Sequence, residues 1–382
     1  ENYDVHDLVR EFLTRSMDDS LSQSLHANAA EWYRVRKGNP SESIEYIHHL
    51  HMSGDTEGLA EALSEEGHSL VKAGHIELLG ILRVLEASLF GPRTRFVIHE
   101  LTGDILSIQG RWDEAEEQYD LALPIAVKHK LMTPLARIYS SRADLAVKKG
   151  EMDNALSLHK KALEMQIKLR DAQGAARSYN NMGYIFRRQR DNKRAIEVYG
   201  NVEELLESED SPDLTEARIR LASAFLEMGE MDRARDHAMK AHDETAENNQ
   251  EKLHARSRAV LGRYYARIKD NDLAMHHYTG ALEILSDQSD PRSAVEVEIL
   301  LGQVLSDAGS TEEAAQHYLD ALTIAEANDF RMMQGEILSR LGEVESNRSQ
   351  RMDYLQRSLV VFRELGAVDR MREVQNSVHR VV

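Results

Sequence analysis

A pattern of small and apolar residues recurs about every 40 residues along most of this chain. A small residue is followed twelve positions later by Ala, then usually by Tyr four positions on and by Ala three positions further. The copies are Gly103/Ala115/Tyr119/Ala122, Ala143/Ala155/His159/Ala162, Gly183/Ala195/Tyr199/Val202, Ala222/Ala234/Ala238/Ala241, Gly262/Ala274/Tyr278/Ala281, Gly302/Ala314/Tyr318/Ala321 and a weaker Gly342/Tyr354/Ser358/Val361. A fixed period of this length is typical of a solenoid, whose units stack because none buries its apolar face alone. The pattern therefore predicts a repeat fold and favours recognition over catalysis.

Each copy has the periodicity of two helices. Around Gly183, apolar residues in 175–190 recur at spacings of three and four, and 191–207 repeats this pattern. Asp191 and Asn192 between the two segments are typical turn and N-cap residues. The same helix–turn–helix interpretation fits 133–169, 213–247, 251–286, 291–327 and 330–365. The sequence therefore predicts an all-α fold in which the small residue lets paired helices approach closely.

These residues resemble the tetratricopeptide repeat, a unit that has a small residue, Ala, an aromatic residue and Ala at the same spacings. The usual unit has about 34 residues, and each unit here is about six residues longer. The resemblance covers residues 95–365 in about seven copies and implies a right-handed α-α superhelix. Residues 366–382 are interpreted as a capping helix that covers the last apolar face, as a solenoid requires.

The N-terminal part of the chain resembles signal-transduction ATPases with numerous domains (STAND proteins). Residues 3–13 resemble the end of their winged-helix domain, and Val5-His6-Asp7 stands where that family carries Met-His-Asp. By resemblance, His6 would contact the phosphate of ADP held by an ATPase domain. Residues 1–20 are thus interpreted as a winged-helix remnant, and 21–94 as the helical bridge of degenerate repeats found in MalT-type regulators.

The ATPase domain itself has no counterpart in this sequence. No GxxxxGK[ST] motif occurs, so this chain alone is predicted neither to bind nor to hydrolyse ATP. The chain begins at Glu1 instead of Met, and we expect it to be a fragment of a longer protein with the ATPase domain upstream.

Composition narrows the classes of partner. A net charge of −18 repels nucleic acid, so no direct nucleic-acid binding is expected. Apolar runs are far shorter than the roughly 18 residues of a membrane span, so no membrane partner is expected. The lack of cysteine excludes disulfides, thiolate zinc sites and cysteine catalysis, and it is consistent with a cytoplasmic location.

Histidine is abundant, yet no metal site is predicted. His48 and His51 lie three residues apart on one helical face, with His49 between them, and Glu45 is the one obvious further ligand nearby. A zinc site needs three or four ligands, so solvated helical histidines are the favoured interpretation. No GxSxG elbow is present and no Ser-His-Asp arrangement can be inferred. We therefore expect no cofactor and no enzyme activity in this chain.

Arginines concentrate at the positions that line the concave face in tetratricopeptide repeats, which belong to the first helix of each pair. The predicted ligand-binding residues are Arg137, Arg177, Asn180, Asn181, Tyr184, Arg187, Arg220, Arg256 and Arg263. Arginine binds carboxylate or phosphate in a two-pronged geometry, and Asn181 resembles the Asn that holds a peptide backbone in adaptor-type repeats. This set predicts a protein, an acidic peptide or a small anionic effector as ligand. The alternative is that these arginines pair with glutamates on adjacent helices.

Two functions are compatible with these features. The first is a ligand-binding sensor region of a signal-transducing ATPase, which the N-terminal resemblance favours. The second is a repeat scaffold that assembles partner proteins without any switch. Whether the natural gene continues upstream into a P-loop ATPase distinguishes the two.

Overall fold

A computed structural model describes residues 18–36, 39–85, 87–206, 211–248, 250–288 and 290–381. Within these ranges the chain is all-α, with nineteen α-helices, one short 3₁₀ helix and no strand. The all-α repeat fold predicted from the sequence is thus confirmed. Val5-His6-Asp7 and the other residues before Asp18 lie outside the described part, so the winged-helix remnant and the role of His6 stay predictions.

The chain divides into two compact units, Glu1–Ser178 and Tyr179–Val382. The helices of the first unit are α1 (Asp19–Val35), α2 (Pro40–Ser53), α3 (Thr56–Lys72), α4 (Leu78–Val84), a 3₁₀ helix (Ala87–Leu89), α5 (Pro92–Ile108), α6 (Trp112–Lys128), α7 (Met132–Lys149) and α8 (Met152–Leu169). Helix α9 (Ala172–Arg188) contains the division between the units.

The second unit continues with helix pairs of similar length. They are α10 (Asn192–Leu206), α11 (Pro212–Met228), α12 (Met231–Glu247), α13 (Glu251–Arg267), α14 (Asn271–Gln288), α15 (Pro291–Asp307), α16 (Thr311–Ala327), α17 (Arg331–Val344), α18 (Arg348–Glu364) and α19 (Val368–Val381). None of the helices in the described ranges is long and apolar enough to cross a bilayer.

Short polar side chains fix where several helices begin. The side chains of Asn39, Asp55 and Asp290 each accept a hydrogen bond from a backbone N–H in the first turn of the helix that follows. These bonds satisfy donors that have no partner inside the helix. At the other end, Gly150 and Gly229 take positive φ values of 82° and 80°, which let the chain turn sharply into the next helix.

The repeat residues pack against each other within each helix pair. Tyr119, Tyr199, Tyr278 and Tyr318 are almost completely buried. A Cβ atom added to Gly262 would lie 2.5 Å from Cε1 of Tyr278, so the helix backbone and the ring occupy adjoining space. Where the small residue is Ala143 or Ala222, the position sixteen residues later holds His159 or Ala238 instead of Tyr. The tyrosine therefore requires glycine opposite it.

Candidate ligand-binding surface

Two arginines share one glutamate between α11 and α13. Arg220 lies one turn after Glu216 on α11 and pairs with it, and Arg256 on α13 donates from Nη2 to Glu216 Oε1 at 2.9 Å. Burial raises the pKa of Glu216, but the charges of Arg220 and Arg256 outweigh it and hold the pKa below its usual value. Two cations and one anion leave this group with a net positive charge.

A second group of the same composition lies at the far ends of these helices. Arg187 near the end of α9 pairs with Glu227 on α11, and Arg263 Nη2 on α13 lies 4.0 Å from Glu227 Oε1. Burial and the charge of Arg187 lower the pKa of Arg263, while Glu227 opposes them. Here too, one carboxylate is shared by two guanidinium groups.

A pocket with a volume of about 270 Å³ opens beside these arginines. Its polar lining includes Arg187, Arg256, Arg263, Ser223 and Glu296, and helices α11, α13 and α15 supply most of its wall. The apolar part of the lining is formed by Ile219, Ala255, Ala259, Val260, Leu285, Val297 and Leu300. An anionic group beside an apolar side chain matches this combination of charge and surface.

One further predicted residue, Tyr184, lies close to Arg220. The guanidinium of Arg220 stands over the Tyr184 ring, with Cζ 5.5 Å from the ring centroid. Tyr184 is exposed, and Asn181 is partly buried. Stacked arginine and tyrosine present a flat, amphipathic surface that suits an extended peptide.

Asn180 does not occupy the exposed position expected of it. It is 4% exposed, and its Nδ2 donates to the backbone carbonyl of Asp213 at 2.8 Å. This position of α9 faces the start of α11, so the side chain joins neighbouring helices. The exposed position expected for Asn180 is therefore not observed, and its contact with a ligand stays a prediction.

The predicted residues of the first unit have a different setting. Arg137 on α7 makes two hydrogen bonds to Glu100 on α5, with Nε–Oε1 at 3.0 Å and Nη2–Oε2 at 2.7 Å. The Glu100 side chain is 1% exposed, and its Oε2 also lies 2.8 Å from His68 Nε2. Arg137 thus follows the alternative of pairing with a neighbouring glutamate, whereas Arg177 is exposed.

The shared glutamates are not among the predicted ligand-binding residues, although the sequence carries a signal for their pairing. Glu216 and Arg256 are separated by 40 residues, as are Arg187 and Glu227. Opposite charges at the same register of successive repeats are brought side by side when the first helices stack. Charge complementarity at the repeat period would have identified these pairs.

Part of the chain matches a known family, and its fold is similar to that of several solved structures. Residues 134–208 match the family model described as tetratricopeptide repeat. A search of curated proteins gave no significant match. The fold is similar to that of a signal-transduction ATPase with numerous domains and a tetratricopeptide repeat sensor from Pyrococcus horikoshii, with a TM-score of 0.69 and 14% identity. The similarity covers 97% of this chain but 57% of the Pyrococcus protein.

Two further solved structures are similar over most of their lengths. The apo form of the quorum sensor NprR from B. thuringiensis has a TM-score of 0.61 at 14% identity, covering 84% of this chain and 91% of its own. Aspartyl phosphate phosphatase F from Bacillus subtilis has a TM-score of 0.53 at 15% identity, covering 94% of each chain. At these identities the similarity concerns the fold. Residues 134–208 are therefore a tetratricopeptide-repeat segment, and the described chain has the helix-pair fold of tetratricopeptide-repeat proteins.

Proposed function

We propose that the chain is the ligand-binding sensor region of a signal-transduction ATPase with numerous domains and is not catalytic by itself. The observation that supports this role is the fold similarity to the Pyrococcus protein, which includes 97% of this chain and leaves the rest of that protein for other domains. The proposed partner is an ATPase domain on the same polypeptide. A ligand shifts such a switch only through a difference in its affinity for the two states, which amounts to a few kcal/mol.

The arginine-lined pocket is the proposed ligand site, and the proposed ligand is a peptide or protein segment with a carboxylate. Support comes from Arg187 and Arg263, which share Glu227 and therefore retain a net positive charge beside apolar lining residues. A ligand carboxylate would neutralise that charge through charge-assisted hydrogen bonds. Its neighbouring apolar side chain would cover Val260 and Leu300.

Binding of a defined peptide panel tests the ligand class. Fluorescein-labelled hexapeptides with acidic, neutral or basic residues, each with a free or an amidated C-terminus, are titrated with the chain, and anisotropy is measured. We expect tight binding only for peptides with a carboxylate. Arg263→Ala should weaken that binding about 10- to 100-fold, the effect of losing one charged hydrogen bond.

Arg235→Ala is the matched control, because Arg235 is an exposed arginine on α12 that pairs with its neighbour Asp236. This variant should bind as the wild type does. Equal losses in the two variants, or equal affinity for acidic and amidated neutral peptides, would contradict the proposed site.

The sensor role is tested separately from the ligand class. The gene product including its upstream region is purified, and its ATP hydrolysis rate is measured with and without the best-binding peptide. A sensor predicts a rate change that is lost in Arg263→Ala. Peptide binding with no rate change would favour the scaffold alternative and leave the pocket assignment intact. Hydrolysis by the isolated 382-residue chain would contradict its non-catalytic role.

A further inference from the structure

Three imidazole rings converge between the first two helices. His26 lies on α1, and His48 and His49 lie on α2. One ring nitrogen of each histidine lies within 4.8 Å of the corresponding atom of the other two. His26 Nδ1 and His49 Nδ1 are 2.7 Å apart, so one ring donates a hydrogen bond to the other. The His26 side chain from α1 therefore lies next to two adjacent residues of α2, His48 and His49.

The surroundings orient the His49 ring. The Tyr33 ring is stacked on His49, with centroids 5.5 Å apart and an interplanar angle of 21°. This stacking restricts rotation of the His49 ring.

A carboxylate lies beside the histidine cluster. Glu45 lies one turn before His49 on α2, and its Oε2 is 3.9 Å from His49 Nε2. About half of the Glu45 side chain is exposed, so it can move towards the cluster without loss of a buried contact. Carboxylates near metal-binding histidines either orient the ring or ligate the ion directly.

Helix α1 buries little of its own apolar surface. Of the residues of α1, all of which the structure describes, Ala30 alone is buried, while Leu21, Leu25 and Trp32 are about half exposed. A contact that joins α1 to α2 therefore contributes a large share of the local stability, because apolar burial contributes little there. A metal ion held by residues of both helices is such a contact.

We propose that His26, His48 and His49 bind one Zn²⁺ ion, which fastens α1 to α2. Zn–N bonds of 2.0–2.1 Å in tetrahedral geometry place ligand atoms about 3.3 Å apart, so rotation of the side chains is sufficient to reach this arrangement. Three histidines leave the fourth position to Glu45 or to water. The sequence pattern of His48 and His51 did not reveal this site because the third ligand comes from α1.

Metal titration of the full chain tests the proposal. The protein is prepared without a polyhistidine tag, dialysed against EDTA and titrated with ZnCl₂ by calorimetry at neutral pH. Co²⁺ serves as the spectroscopic probe, because tetrahedral Co²⁺ gives intense visible d–d bands. We expect one Zn²⁺ per chain, tetrahedral Co²⁺ bands and an increase of Tm with Zn²⁺.

Matched variants link the binding to these histidines. His26→Asn and His49→Asn should each weaken Zn²⁺ binding by more than about 100-fold, beyond the 10- to 100-fold loss typical when a residue that only orients a metal ligand is changed. Both should abolish the Tm increase. His129→Asn, which alters an exposed histidine at the end of α6, should bind as the wild type does.

Circular dichroism of each variant establishes that its helical content is retained before titration. Absence of Zn²⁺ binding by the wild type would overturn the proposal, and so would octahedral Co²⁺ spectra. Binding that is undiminished in both His26→Asn and His49→Asn would place the ion elsewhere and would overturn it as well.

Discussion

Within a repeat, the glycine and the tyrosine lie so close together that a Cβ atom on the glycine would overlap the ring. A Cβ at Gly262 would lie 2.5 Å from Tyr278 Cε1, and a Cβ at Gly302 would lie 2.6 Å from Tyr318 Cε1. Gly262→Ala is therefore expected to lower the free energy of unfolding by about 1–3 kcal/mol, the usual cost of overpacking. Urea denaturation followed by circular dichroism measures the change.

Gly200 provides the control for this substitution. It lies within α10, and a Cβ added there meets no atom within 4 Å. Gly200→Ala should therefore stabilise the protein by about 0.5–1 kcal/mol through its higher helix propensity. The double variant Gly262→Ala/Tyr278→His, which copies the Ala143 and His159 pair, should recover part of the loss. Equal effects of the two alanine substitutions would disprove the steric explanation.

Asp104 predicts a pH dependence of stability. Burial and the charge of Glu100 raise the pKa of Asp104 to about 6, against the opposing effects of Tyr119, Ser141 and His68. This folded-state pKa lies above the unfolded value near 3.9, so the folded protein holds the proton of Asp104 more tightly than the unfolded chain does. The resulting stabilisation is fully present below about pH 4 and is lost as pH rises through 6.

Asp104→Asn removes the charge but keeps an acceptor for the Tyr119 hydroxyl, which donates to Oδ1 at 2.7 Å. Relative to the wild type, the variant should gain about 1–2 kcal/mol between pH 5 and pH 8, because the rest of the effect of the shifted pKa falls below pH 5. Urea denaturation of both proteins at several pH values measures this difference. A difference that does not vary with pH would contradict the assigned ionisation of Asp104.

Neighbouring helices are joined by ion pairs as well as by apolar contacts. Substitution of Glu227 measures how much such an ion pair contributes to stability. Glu227→Gln leaves Arg187 and Arg263 without their shared anion. We expect a loss of about 1–2 kcal/mol, because the Arg187 and Arg263 side chains are about two-thirds buried or more and then repel each other. Added phosphate should recover the loss by occupying the place of the carboxylate.

The control for this prediction is Glu230→Gln, which removes a carboxylate of similar exposure that pairs with the more exposed Arg233. It should change stability by less than about 1 kcal/mol, and phosphate should have no specific effect on it. Tm is measured for all three proteins with increasing phosphate at constant ionic strength. An equal response of the three would show that phosphate acts through ionic conditions alone.

How far the sequence predicts these elements depends on whether their contacts repeat. The positions of the helices follow from local periodicity and capping, so the range 175–190 predicted around Gly183 agrees closely with α9, Ala172–Arg188. The arginines at inner positions follow from register, and Arg187, Arg256 and Arg263 do line one pocket. Contacts outside the repeat register do not follow, because they depend on how individual helices rotate against each other. Asn180 and the His26 cluster are such cases.

At the scale of the whole chain, the two units are each stabilised by contacts between successive helices, so disruption at one end should remain local. Helix α19 closes the second unit, where Val374 packs with Leu355 and Phe362 of α18. Deletion of 366–382 is expected to expose Phe362 and to speed amide hydrogen exchange in α17 and α18.

Helices α11 to α13 provide the internal reference for this deletion, since the apolar cluster around Val374 is formed by residues within 355–378 and these helices carry their own pairs of charges. Their exchange rates should stay within about twofold of those of the wild type, because stability in repeat proteins is a sum over neighbouring units. Val374→Ala should produce the same pattern more weakly, since it removes two methyl groups from the contact without exposing it. Hydrogen exchange followed by mass spectrometry resolves the three regions. Uniformly faster exchange throughout the second unit would mean that its helix pairs unfold together. Its stability would then not be a sum over neighbouring units.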